Sequence, residues 1–131
     1  MFSILPEIQT LSFNLFLTGS RFFGNVHDES DWDFYCGSLI PEQEQELKLL
    51  GFTQEDKDSS ILFGGVVKVF KHSTKDIHIL VVHDLDRRHL AQKVVKEFFP
   101  SGYANKIDNA KSVWDMAELI ANMRLSMGEK P

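Results

Sequence analysis

The sequence predicts a mixed α/β (α+β) domain: a four- to five-stranded mixed sheet with helices on one face and an open cleft on the other. Three observations lead there. The run from Phe13 to Leu17 is mostly apolar and ends in Gly19-Ser20, the pattern of a buried strand entering a tight turn. Asp31 to Cys36 and Asp76 to Val82 alternate large apolar residues with acids or histidine, the two-residue period of a strand with unlike faces. Pro41 to Leu50, Leu85 to Phe99 and Asn109 to Met123 carry their apolar residues at helical spacing.

Taken in order, Ile4, Ile8, Leu11 and Leu15 fit a short covering helix over Pro6 to Leu11. The strand to Leu17 follows, then the Gly19-Ser20 turn, a helical turn over Arg21 to Gly24 and a polar, acidic loop from Asn25 to Ser30. Pro41 to Leu50 has proline in its first turn, early glutamates, a late Lys48 and Gly51 as terminator. Thr53 to Ser60 is charged and reads as a mobile loop. Ile61 to Phe63 and Val66 to Phe70 flank Gly64-Gly65, a two-residue hairpin signal, and His72 to Lys75 makes a second turn. Leu85 to Phe99 is a basic amphipathic helix, with Leu90, Val94, Val95 and Phe98 inward and Arg87, Arg88, Lys93 and Lys96 outward. That basic face, His89 included, reads as solvated. Pro100-Ser101-Gly102 stops it. The last helix has Val113, Trp114, Ala117, Ile120 and Met123 as its stripe, and a tail that frays after Ser126. No repeat or linker divides the chain, so residues 1–131 form a single domain.

Composition narrows the function. A net charge of −5 argues against broad capture of nucleic acid, which needs a basic face to displace counterions. One cysteine, Cys36, excludes an internal disulfide and reads as a core thiol suited to a reducing cytoplasm. With no basic leader and no apolar run of spanning length, the expected location is cytoplasmic, away from membranes. Eleven phenylalanines point to an aromatic-rich core.

The parity of the acidic strands carries most information. If Trp32 and Phe34 face the helices together with Ile77, Ile79 and Val81, then Asp31, Asp33 and Asp76 all face the opposite side. A one-residue slip would bury the acids. His78 shares their face and reads as a wall residue, a ligand or a base. Such a face is oxygen-rich enough for Mg²⁺. A glycine at residue 19 lets backbone approach a ligand, and a helix start after it offers unpaired N–H groups to an anion.

Gly19-Ser20, a ten-residue gap, then Asp31-Trp32-Asp33-Phe34 resembles the signature of the DNA polymerase β-like nucleotidyltransferase superfamily, in particular its small stand-alone members from bacteria and their phages. The similarity runs from Leu15 to about Val82. It implies the nucleotidyltransferase fold and transfer of a nucleoside monophosphate, most plausibly AMP, from an NTP to a hydroxyl of a protein or other acceptor. It implies two Mg²⁺ ions on Asp31, Asp33 and Asp76, and an NTP held by Gly19, Ser20 and Arg21. The sequence departs from the family at Lys75, where an apolar residue usually precedes the third acid. A protein acceptor or partner is expected, and a homodimer would complete the cleft. The alternative is a catalytically degenerate relative, phage-encoded or bacterial, that binds and inhibits or regulates a partner protein.

Overall fold

The computed structural model describes residues 8–19, 22, 32–55, 64–100 and 107–130. Its centre is one five-stranded sheet built from β1 (Phe16–Thr18), β2 (Trp32–Cys36), β3 (Phe52–Glu55), β4 (Val66–His72) and β5 (Ile77–Val82), ordered β1-β2-β5-β4-β3. The sheet is mixed: β2 and β5 run parallel, and every other neighbouring pair is antiparallel. Among the described residues three helices complete it, α1 (Pro41–Leu49), α2 (Leu85–Phe98) and α3 (Ile107–Ser126). Among the described residues no helix is long and apolar enough to cross a membrane.

Local chemistry accounts for the helix boundaries. Pro41 opens α1, the Gln43 side chain accepts from the Ile40 N–H at 3.0 Å, and Gly51 ends the helix at a φ of +97°. Asp84 caps α2, its Oδ1 accepting from the Arg87 N–H at 3.1 Å. His72 organises the turn into β5. Its Nδ1 accepts from the N–H groups of Thr74 and Lys75, which leaves Nε2–H to donate to the Leu50 carbonyl at 3.1 Å.

The expected parity holds where the strands are described. Phe34, Ile77, Ile79 and Val81 are buried on one face with Phe52, Phe70 and, from α1, Leu47. Trp32 packs against the same cluster. Cys36 lies there as the expected core thiol, and burial pushes its pKa up to about 12. The opposite face carries Thr18, Asp33, His78, Lys71 and Thr53 in one cross-strand row, since those residues are successive register partners from β1 to β3. The next row holds Phe16, Tyr35, Leu80, Val69 and Glu55.

Helices on a single face is the expectation the fold overturns. α1 covers the Phe34 face, while α2 lies over the β1–β2 side of the other, where it bonds Tyr35, Thr18 and Leu17. A second apolar cluster, with Leu90, Val94, Val95, Trp114, Ala117 and Ala121 buried, joins α2 to α3. Tyr35 and Thr18 explain the second layer: they share the acid face, and they need cover because both are almost fully buried.

Three smaller expectations change, and others fall on residues outside those described. Residues 53–55, read as a mobile loop, belong to β3, because pairing with residues 69–71 supplies the backbone partners that local propensity lacks. β4 has β3 and β5 as its described neighbours, and the proposed hairpin partner Ile61 to Phe63 lies outside the described residues. Arg88 is buried and Phe98 is 53% exposed, the reverse of the outward and inward assignments. Met123 is likewise exposed, and Ala110 and Ala121 fill the α3 stripe instead. Of the helix expected over Pro6 to Leu11, residues 8–11 are described and 8–10 form a turn, and of that expected over Arg21 to Gly24 only Phe22 is described.

Candidate functional site

The site begins where β1 stops. Gly19 takes a φ of +71°, a left-handed conformation that glycine adopts without strain, and the Phe22 N–H donates to its carbonyl at 3.0 Å to close a turn. The missing side chain matters as much as the dihedral. A Cβ on Gly19 would stand 2.5 Å from Asp33 Oδ2 and 3.0 Å from Asp33 Cβ, so the carboxylate occupies the space that glycine leaves. Register explains the proximity, because Thr18 is the cross-strand partner of Asp33.

Next to Asp33 stands His78, its partner on β5. His78 Nδ1 lies 3.4 Å from Asp33 Oδ1, and Nε2 lies 3.8 Å from Glu55 Oε1. The imidazole is thus set between two carboxylates on a part-open face, where the Asp33 side chain retains 30% of its exposure. Asp76 sits immediately before β5 and is exposed; its carbonyl accepts from the Trp32 N–H at 2.8 Å, which pins its backbone beside the start of β2. Of the residues expected to form the site, Gly19 and Asp33 are brought into contact and Asp76 is placed at the same end of the parallel pair. Ser20, Arg21 and Asp31 lie outside the described residues. Among the described residues no three His, Cys, Asp or Glu side chains gather to hold a metal ion.

One row along the same face, the Tyr35 hydroxyl lies 2.6 Å from His89 Nδ1. Burial pushes the Tyr35 pKa up to about 12, with Arg88 opposing, so the phenol stays protonated and donates. Burial pulls the His89 pKa below its ordinary value; Asp86 pulls it back up and Arg88 adds to the fall. The folded state therefore holds His89 neutral more firmly than the unfolded chain does. Its contribution to stability is complete above the unfolded pKa of about 6.5 and is lost as pH falls from there toward the depressed value. Thermal melts from pH 7.5 to 5 should accordingly show a steeper loss of Tm in the wild type than in His89→Gln. Parallel slopes would contradict this.

Sequence reasoning missed Glu55, Gln92 and the burial of Arg88. Arg88 had a legible signal: it stands three residues before Ala91 and seven before Val95, the spacing of the buried stripe. Glu55 had none, since its strand exists only through pairing with β4.

Comparison with protein-family models, with curated proteins and with solved structures finds no match to this chain.

Proposed function

We propose that this chain is a metal-dependent nucleotidyltransferase that moves a nucleoside monophosphate, most plausibly AMP, from an NTP to a hydroxyl of a protein or other acceptor. The observation that supports it best is the seating of the Asp33 carboxylate against the α-carbon of a left-handed glycine at the end of β1. The bend lets main chain approach an anionic ligand closely, and the carboxylate next to it is an oxygen donor of the kind Mg²⁺ prefers. In this reading Gly19 binds the polyphosphate with Ser20 and Arg21, which follow it in sequence. Asp33, Asp31 and Asp76 would hold the metal. When bound, Mg²⁺ supplies charge compensation for the polyphosphate. The Asp33 carboxylate, with 30% of its side chain still exposed, fits such an ion.

One observation favours the degenerate alternative, in which the fold survives as a protein-binding scaffold. His78 stands against Asp33 from the neighbouring strand and competes for its oxygens. Transfer of label from α-³²P ATP, with Mg²⁺ or Mn²⁺, separates the two readings. Active wild type and an inactive Asp31→Asn, Asp33→Asn double variant are expected. Equal labelling by both proteins would refute the assignment of the site, and calorimetry showing no magnesium-dependent nucleotide binding would favour the scaffold.

A further inference from the structure

Three buried polar side chains meet where β1 ends: Thr18, Arg88 and Gln92 are 2%, 4% and 5% exposed. Gln92 bonds the strand twice, accepting from Thr18 Oγ1 at 2.7 Å and donating Nε2–H to the Leu17 carbonyl at 2.9 Å. Arg88, one turn earlier on α2, donates to Thr18 Oγ1 at 3.0 Å and to the Gly64 carbonyl at 3.1 Å. Its guanidinium lies 3.8 Å from the Trp114 ring centroid, a cation–π contact that favours the charge. Removing such groups from water is costly, and well-packed apolar side chains would stabilise the same contact as well or better. What the network adds is position. Leu17 and Thr18 are the two residues before the Gly19 bend, and Thr18 is the register partner of Asp33. The far end is equally tight: a Cβ on Gly64, itself at a φ of +67°, would overlap Arg88 Nη1.

We propose that Arg88 and Gln92 are positioning residues that act through Thr18 and Leu17 to hold the Gly19 bend against Asp33. The benefit to polyphosphate binding rests on the nucleotidyltransferase reading; the tether itself does not. α2 serves as a ruler, its two polar side chains one turn apart setting where β1 ends relative to the rest of the sheet.

The test uses the full chain with Thr18→Val, which keeps the β-branched shape without the hydroxyl, Gln92→Leu, and the conservative Thr18→Ser. Amide exchange of the Phe22 N–H, which closes the bend, is followed by NMR beside that of Ile79 in β5, and ATP·Mn²⁺ affinity by calorimetry. Thr18→Val and Gln92→Leu are expected to speed Phe22 exchange by about tenfold with Ile79 unchanged. They should weaken ATP·Mn²⁺ binding by about tenfold, and Thr18→Ser should restore both. Wild-type exchange at Phe22 in both variants overturns the tether. So does an equal rise at Phe22 and Ile79, which would mark a contribution to global stability alone. A wild type that binds no nucleotide refutes the nucleotidyltransferase reading, while Phe22 exchange still decides the tether.

Discussion

Gly19→Ala is expected, on the proposed nucleotidyltransferase function, to weaken nucleotide binding by more than about tenfold, and to cost roughly 1–2 kcal/mol of stability, the usual cost of a side chain in the left-handed region. The two losses have separate causes. The backbone term follows from the φ of +71°. The binding term follows from the added methyl group, which must displace the Asp33 carboxylate from its place 2.5 Å from the new Cβ. Gly51→Ala is the matched control: residue 51 has a φ of +97°, and its nearest obstacle is His72 Nε2 at 3.1 Å, away from Asp33. Both variants should melt early in denaturant, and only Gly19→Ala should lose ATP·Mn²⁺ affinity. Equal affinities in the two would remove the glycine bend from any binding role.

Phe34→Ala is expected to cost about 3–5 kcal/mol, the range for deleting a buried aromatic ring. Phe34 is fully buried on β2 among Ile77, Ile79, Phe70 and Leu47. Against a total stability of about 5–15 kcal/mol for a domain, that is a large share. The consequence reaches the site. Phe34 inward is what turns Asp33 outward, so loss of the ring weakens the register that separates the acids from the core. Phe98→Ala supplies the contrast, since Phe98 is 53% exposed and its loss should stay within about 0.5 kcal/mol. Urea unfolding of the two variants checks both values, and a comparable loss in each would contradict the described packing.

The contrast between Phe34 and Phe98 also shows what periodicity can reach. Alternation along Trp32 to Cys36 names the buried side of a strand because the pleat leaves only two sides to choose from. A helix offers a continuum of directions, and Phe98 follows the inward stripe of α2 in sequence yet is exposed, while its neighbour Phe99 packs against the α2–α3 cluster instead. Arg88 errs in the other sense. A charged residue reads as solvated, whereas this one is enclosed between Trp114 and Tyr35 and bonded to Thr18 and Gly64. Its partners come from α3, β2, β1 and the turn before β4, and no local pattern announces them.

By itself the sequence determined the sidedness of β2 and β5, the stops of α1 at Gly51 and of the β1 strand at Gly19, and the separation of Asp33 from the core. Those properties are local: they follow from the two-residue period of extended backbone and from where only glycine turns without strain. Only the tertiary structure decided that a second helical layer covers part of the acid face, that residues 52–55 pair with β4 as a strand, and that His78 stands between Asp33 and Glu55. These depend on which segments meet across tens of residues, and a strand's hydrogen-bonding edge, unlike its alternation, carries no mark of the partner that will satisfy it.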